Sequence, residues 1–142
     1  MVNLENRLGV LDTKKDIFKD IDLSFKRNPI TNDVRVKTDA AAVNQSLKNI
    51  ILTNFFERPL DPSFGGNIWE MLFEPLDEFS AINIRERMIK VIEKNEPRVE
   101  NIQINIKQAR DEYPNTMVIS LLYNIPSSNT IISTQFSVER VR

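Results

Sequence analysis

The chain has 142 residues, 41% of them hydrophobic and 27% charged, a balance that suits one globular domain and argues against a fibrous or disordered protein. With 19 basic residues against 20 acidic ones the formal net charge is −1, so no overall basic field exists to condense on nucleic acid or anionic lipid. Cysteine and histidine are both absent, which removes disulfides, thiolate nucleophiles, imidazole bases and nearly every zinc or haem ligand set. An all-carboxylate mechanism, a Ser/Lys pair or an oxygen-liganded cation survives that exclusion.

The first segment, Met1-Val2-Asn3-Leu4-Glu5, lacks the basic and apolar regions of a signal peptide, which predicts a product retained in the cytoplasm where it is made. Apolar runs such as Val118-Ile119 and Leu121-Leu122 fall far short of the roughly 20 residues of a membrane helix. Residues 1–38 read as an arm, with Lys14-Lys15-Asp16 and Lys19-Asp20 preceding an alternation at Ile21, Leu23 and Phe25. Asn28-Pro29 and Thr31-Asn32-Asp33 are turn chemistry, and Val34-Arg35-Val36 is a second short strand that pairs back on the first. Residues 39–142 are expected to form a single α+β domain.

Thr38 or Asp39 is placed to cap a helix over about residues 40–54, whose apolar positions Val43, Leu47, Ile50 and Ile51 recur at helical spacing. Pro59 and Pro62 forbid its continuation, and Phe64-Gly65-Gly66 supplies freedom for a sharp reversal. A short helix is expected over Asn67 to Phe73, with Asn67 as cap, Trp69, Leu72 and Phe73 inward and Pro75 as its stop. Ser80 is the expected cap of a longer helix reaching Asn95, buried through Ile84, Met88, Val91 and Ile92.

Beyond Pro97 the hydrophobic period changes from 3.6 to 2. Ile102, Ile104 and Ile106 alternate with polar neighbours, then Met117, Ile119, Leu121 and Tyr123, then Ile132, Thr134, Phe136 and Val138. Loops containing Pro114-Asn115 and Pro126-Ser127-Ser128-Asn129 join them into a three-stranded antiparallel meander. One face is apolar, which predicts helices packed on that side only.

Carboxylates are the remaining candidates for acid–base chemistry, with Glu93 and Glu96 close together and Glu70, Glu74, Asp77 and Glu78 upstream. A glycosidase needs two of them across a cleft and one shielded in apolar surroundings, and this spacing does not demand it. Gly65-Gly66 lacks the lysine and spacing of a phosphate loop, and Asp111-Glu112 is a thin basis for a cation site in a hairpin loop. No cofactor or metal is expected. Glu96-Pro97-Arg98 stands where the long helix hands over to the first strand of the meander. Proline stiffens that corner, and its two charges can pair with each other, with loop backbone or with a partner protein.

Four segments in order resemble one family, the short baseplate wedge proteins, or sheath initiators, of contractile phage tails, which have counterparts in type VI secretion baseplates. They are Ala41-Ala42-Val43-Asn44-Gln45-Ser46-Leu47-Lys48-Asn49, Glu57-Arg58-Pro59-Leu60-Asp61-Pro62-Ser63-Phe64-Gly65, Leu72-Phe73-Glu74-Pro75 and Glu96-Pro97-Arg98-Val99. Asp22-Leu23-Ser24-Phe25 and Asn28-Pro29-Ile30-Thr31-Asn32-Asp33 also resemble the N-terminal arm of phage members. One departure stands out. Members commonly carry glycine before the Glu-Arg of the proline loop, where this chain has Phe56, so either the loop begins differently or Phe56 fills a pocket.

The resemblance implies a structural protein of the virion tail baseplate that attaches to other wedge proteins and starts sheath assembly by strand addition. Central hub or tube proteins are further candidate partners, with no free nucleic acid and no membrane. Met117, Ile119, Leu121, Tyr123, Ile132, Thr134, Phe136 and Val138 mark the strands expected to dock the sheath protein. Glu96, Pro97 and Arg98 would attach the chain to its wedge neighbours or lock the corner, with Arg58, Pro59, Phe64 and Gly65 as a structural loop packed near it. A type VI or related injection baseplate is the alternative setting, and a lysozyme-like enzyme, after the label some relatives carry, is the alternative class. The best-placed glutamate has an arginine two residues away, which, if it folds close, would lower the glutamate's pKa and oppose the role of proton donor.

Overall fold

The computed structural model describes residues 18–72, 77–108, 116–126 and 130–139. The elements run β1 (Lys19–Ile21), β2 (Val36–Thr38), α1 (Asp39–Leu52), α2 (Ile68–Met71), α3 (Glu78–Asn95), β3 (Glu100–Gln108), β4 (Thr116–Ile125) and β5 (Thr130–Glu139). The α+β class expected above is the one found.

β1 and β2 form an antiparallel ribbon, Lys19 opposite Thr38 and Ile21 opposite Val36, extended by a bridge between Arg27 and Val34. The first strand stops earlier than the alternation predicts. The Asp22 carboxylate accepts the Ser24 N–H at 3.0 Å and Phe25 adopts a left-handed φ of 50°, so a local turn replaces the strand and leaves Leu23 and Phe25 exposed. α1 buries Ala42, Val43, Leu47, Ile50 and Ile51, the face its periodicity requires. Its capping differs from expectation. Thr38 makes no side-chain cap bond, and the Asp39 carboxylate accepts the Phe18 N–H at 3.2 Å, which ties the arm to the helix.

The glycine pair does more than reverse the chain, because it lies against the end of α1. Gly66 N–H donates to the Ile50 carbonyl at 3.0 Å and Asn67 N–H to the Thr53 carbonyl at 3.2 Å, satisfying acceptors that a helix end leaves open. A Cβ at Gly65, where φ is 108°, would stand 2.2 Å from the Thr53 oxygen, and one at Gly66 would stand 2.7 Å from the Ile51 oxygen.

α2 is a single turn that buries Ile68 and Met71. Trp69 is not inward as expected: it is 37% exposed, with its indole N–H donating to the Leu52 carbonyl at 3.1 Å, because one turn has room for one buried i, i+3 pair. Asn67 sits at the N-cap position in a left-handed conformation, makes no cap bond and donates its amide to Glu70. Phe73, Glu74 and Pro75 lie outside the described residues.

Asp77, rather than Ser80, caps α3, its carboxylate accepting the Ser80 N–H at 2.6 Å. Hydrogen bonds from Ser80 hold the Asp77 carboxyl below its ordinary value. Ile84, Met88 and Ile92 on α3 join α1 and the sheet in one core. The large sheet has order β3-β4-β5, antiparallel throughout, as the period-2 pattern predicts. Ile104 stands opposite Leu121, and Ile119 opposite both Ile106 and Phe136, which makes the continuous apolar face beneath the helices. A register shift between Glu100 and Gln103, with Asn101 at a φ of 54°, bulges the start of β3. The expected hairpin-loop residues Pro114 and Asn115, with Asp111 and Glu112, and the turn residues Ser127 to Asn129 lie outside the described residues.

Candidate functional site

α3 ends at Asn95, and Glu96 closes it with its N–H donating to the Ile92 carbonyl at 2.7 Å. Pro97 follows and cannot extend the ladder, so the chain turns and the Glu96 and Arg98 side chains fold back on each other. Glu96 is 2% exposed. Its carboxylate accepts two charge-assisted bonds from Arg98, Nε to Oε1 at 2.6 Å and Nη2 to Oε2 at 2.7 Å, the parallel fork that a guanidinium offers a carboxylate. The Ser46 hydroxyl on α1 is a further donor to it.

Arg98 carries the node outward. Its Nη1 donates to Asp20 Oδ2 on β1 at 3.2 Å, and its guanidinium carbon lies 5.5 Å from the centroid of the Phe18 ring. On the other side Tyr123, from β4, donates its hydroxyl to Asn44 Oδ1 on α1 at 2.8 Å. Four parts of the chain therefore meet at one charged cluster: the N-terminal ribbon, α1, the α3-to-β3 corner and the central strand of the sheet.

The electrostatics follow from burial and pairing. Burial by itself would raise the Glu96 carboxyl; hydrogen bonds from Arg98 and Ser46 and the charge of Arg98 outweigh it, and the group sits below its ordinary value. The same bonds from Glu96, against an opposing effect of burial and with help from Asp20, raise Arg98 further. Burial, with the nearby negative charge of Glu96, pushes the Tyr123 phenol up to about 12. A carboxylate held ionised in this way is poorly suited to donate a proton. Among the described residues no group of three or more acidic side chains is arranged to hold a metal ion, and no helix is long and apolar enough to cross a membrane.

Arg58, Pro59, Phe64 and Gly65 do not pack near this corner, contrary to expectation. The Arg58 guanidinium carbon lies 3.8 Å from the Phe64 ring centroid, Phe64 is buried, and Gly65 rests on Thr53 at the far end of α1. From Ser46 to Thr53 is about two turns, roughly 10 Å along the helix. Pro59 lies exposed at the loop's turn. Phe56 fills no pocket: it is 82% exposed at a φ of 66°. That left-handed conformation suits glycine, which explains the residue common at this position in the family the loop resembles.

The strands named for docking separate into two kinds. β4 is the middle strand, paired on both sides, and Met117, Ile119, Leu121 and Tyr123 are buried beneath the helices, so β4 offers no open edge. Ile132, Thr134, Phe136 and Val138 belong to β5, an outer strand. Alternation alone could not order the strands, because all three have the same period. The Ser46, Asn44 and Asp20 contacts with the corner cluster were also invisible in the sequence, since each spans a long separation without a local motif.

Comparison with known proteins agrees with this architecture. The family model described as baseplate wedge protein gp25 matches residues 37–130. Baseplate wedge protein gp25 of Enterobacteria phage T4 is 26% identical over 109 residues, covering 77% of this chain and 80% of that protein. Among solved structures, a protein from Geobacter sulfurreducens described as a candidate tail lysozyme aligns with a TM-score of 0.61 at 20% identity, over 70% of this chain and 89% of that one. A chain of the anti-feeding prophage baseplate aligns at 0.55 and 18% identity, over 86% and 85% of the two chains. A chain of the type VI secretion baseplate complex aligns at 0.54 and 15%, over 69% and 92%. The family match extends from β2 to the start of β5 and takes in both α1 and the Glu96-Pro97-Arg98 corner, and by it the chain belongs to the baseplate wedge protein gp25 family.

Proposed function

We propose that the protein is a non-enzymatic component of a contractile phage tail baseplate in the virion, that it attaches to other wedge proteins, and that it starts sheath assembly by accepting a strand from a sheath subunit. The observation that carries this reading is the outer edge of β5. β5 runs in unbroken register with β4 from Thr130 opposite Ile125 to Glu139 opposite Thr116, and no strand flanks its other side among the described residues. β3, the other outer strand, is bulged at its start and carries Lys107, two devices that discourage edge pairing. An incoming strand on β5 gains main-chain hydrogen bonds for affinity and alternate side-chain sites for register. The Glu96–Arg98 pair, its carboxylate buried, serves as a brace that holds this edge at a set angle to the helices and the ribbon.

The test uses baseplates prepared without this chain, to which the purified protein and sheath protein are added before electron microscopy. Proline is placed in turn at Gln135 and Phe136, whose N–H groups point to opposite sides of β5. The outward one should leave the monomer folded and abolish sheath growth. Normal sheath growth with that edge blocked sinks strand addition.

The likeness to a candidate tail lysozyme gives an enzymatic reading one specific support. A peptidoglycan clearing assay separates the two: catalytic clearing that disappears in Glu96→Gln and Glu74→Gln variants overturns the structural assignment. A secretion or injection baseplate would use the same contacts in a different particle.

A further inference from the structure

The N-terminal ribbon has two outer edges, and only one of them is closed. Asp22 N–H donates to the Arg35 carbonyl at 2.9 Å and Asp39 N–H to the Phe18 carbonyl at 2.9 Å, so Asp22 and Phe18 turn these backbone groups toward β2. By alternation Ile21 and Leu23 turn theirs outward. The Gln45 amide on α1 meets that outer side as a neighbouring strand would. Its Nε2 donates to the Ile21 carbonyl at 2.8 Å and its Oε1 accepts the Leu23 N–H at 3.3 Å. β2 has no such plug. The same alternation turns the Val36 N–H and carbonyl away from β1, and no strand flanks that side among the described residues.

The two faces of the ribbon differ in chemistry. Ile21 stands opposite Val36 and Arg27 opposite Val34, which puts Ile21, Val36 and Val34 on one face, at 59%, 55% and 36% exposure. A two-stranded ribbon with its apolar face uncovered is marginal by itself. Arg35 and Lys37 alternate onto the other face. Asp20 is taken up there by Arg98 at 3.2 Å and Asp22 by Lys37 at 3.6 Å. Arg35 is exposed and, like Lys26 and Arg27, forms no ion pair among the described residues. Asp33, the remaining acid of residues 19–37, is at the turn, its carboxylate accepting the Val34 N–H at 2.7 Å.

Given the reading of the chain as a baseplate wedge component, we infer that the β2 edge is a second strand-addition site. Its occupant is an extended segment of a neighbouring wedge protein in which apolar residues alternate with acidic ones. Backbone bonds at Val36 anchor that segment, its apolar residues cover Ile21, Val34 and Val36, and its acidic residues face Arg35. The cations exclude a second copy of the chain, because two β2 edges brought together would set Arg35 and Lys37 against their own kind. An anionic lipid surface matches the charge but offers Val36 no main-chain partner. β5 carries no basic residue from Thr130 to Glu139, so the two open edges select strands of different charge.

The test adds wild-type protein and two variants to baseplates prepared without this chain and measures attachment by co-sedimentation. Val36→Pro removes the outward N–H. Arg35→Glu reverses an exposed charge and carries the test if the proline unfolds the ribbon, which circular dichroism reports. Each variant should attach about tenfold or more weakly than wild type. On attachment of the wild type, before any sheath protein is present, hydrogen exchange at Val36 should slow by about tenfold or more. Wild type that attaches while Arg35→Glu attaches equally well, or with exchange at Val36 unchanged, overturns the inference and leaves the wedge reading standing. Wild type that does not attach at all removes the wedge reading and this inference with it. Slowed exchange that appears only after sheath protein is added assigns the edge to the sheath and overturns the inference. Flotation with vesicles of phosphatidylcholine and phosphatidylglycerol is run alongside: charge-dependent binding there, with exchange at Val36 unchanged on baseplates, assigns the ribbon to a lipid surface and equally overturns it.

Discussion

Replacing Arg98 by alanine would strand the Glu96 carboxylate in the position where it has least access to water. Glu96 is 2% exposed and takes bonds of 2.6 and 2.7 Å from the guanidinium, so the variant keeps a buried charge and loses its counter-ion. Breaking such a pair from one side costs about 3–5 kcal/mol. Arg98 also links Asp20 and Phe18, so loosening of the ribbon adds to the loss. With a urea slope of about 1–3 kcal/mol/M, the unfolding midpoint followed by circular dichroism should fall by at least about 1 M. Glu96→Gln should cost less, about 1–2 kcal/mol, because glutamine still offers Arg98 an acceptor and the guanidinium keeps Asp20.

The pH dependence provides an independent sign. In the wild type the folded Glu96 value lies below the ordinary 4.5, so the unfolded chain binds more protons in the acid range. The stability from this group is then full above 4.5 and is lost as pH falls through the lower folded value. Without Arg98, burial acts with no cation to oppose it and the folded value rises, so the variant's deficit should widen as pH climbs through the carboxylate range. A midpoint shift below about 0.3 M, or a deficit equal at about pH 3 and pH 7, refutes the reasoning.

Phe56→Gly should raise stability by about 0.5–1 kcal/mol, because relief of the left-handed strain exceeds the entropy lost with glycine, and a lowered urea midpoint counts against it. Gly65→Ala should cost about 3 kcal/mol or more and shift the thermal midpoint down by several degrees, since its Cβ would meet the Thr53 carbonyl at 2.2 Å. Tyr123→Phe should cost about 1–2 kcal/mol by leaving Asn44 Oδ1 without its donor. In the wild type the raised Tyr123 value makes its contribution full below about 10, the ordinary phenol value, and lost as pH rises toward about 12, which phenolate absorbance on alkaline titration would follow.

Local chemistry was enough to place α1, α3 and the three strands of the large sheet. Val43, Leu47, Ile50 and Ile51 mark one helical face, and Ile119, Leu121 and Tyr123 one face of a strand, because burial of a regular element imposes its own period on the residues. Pro97 likewise announces the corner, since proline ends a helix wherever it stands. Caps were harder to read. Asp39, Asn67 and Ser80 all have capping side chains, yet Asp39 holds Phe18, Asn67 holds Glu70 and Ser80 donates to Asp77, as each polar atom takes the nearest available partner.

Tertiary structure decided the rest. Glu96 and Arg98 are two residues apart, and sequence left open whether they face each other, the loop or another protein; the fold pairs them, with Glu96 buried against Ser46 and Arg98 half-buried between it, Asp20 and Phe18. Strand order was undetermined too, and only the pairing of β4 on both sides leaves β5 as a regular outer edge. The reason is the same in both cases. Periodicity and turn chemistry act within a few residues, whereas a buried charge or an open sheet edge depends on which distant segment arrives beside it, and that is settled by the packing of the whole chain.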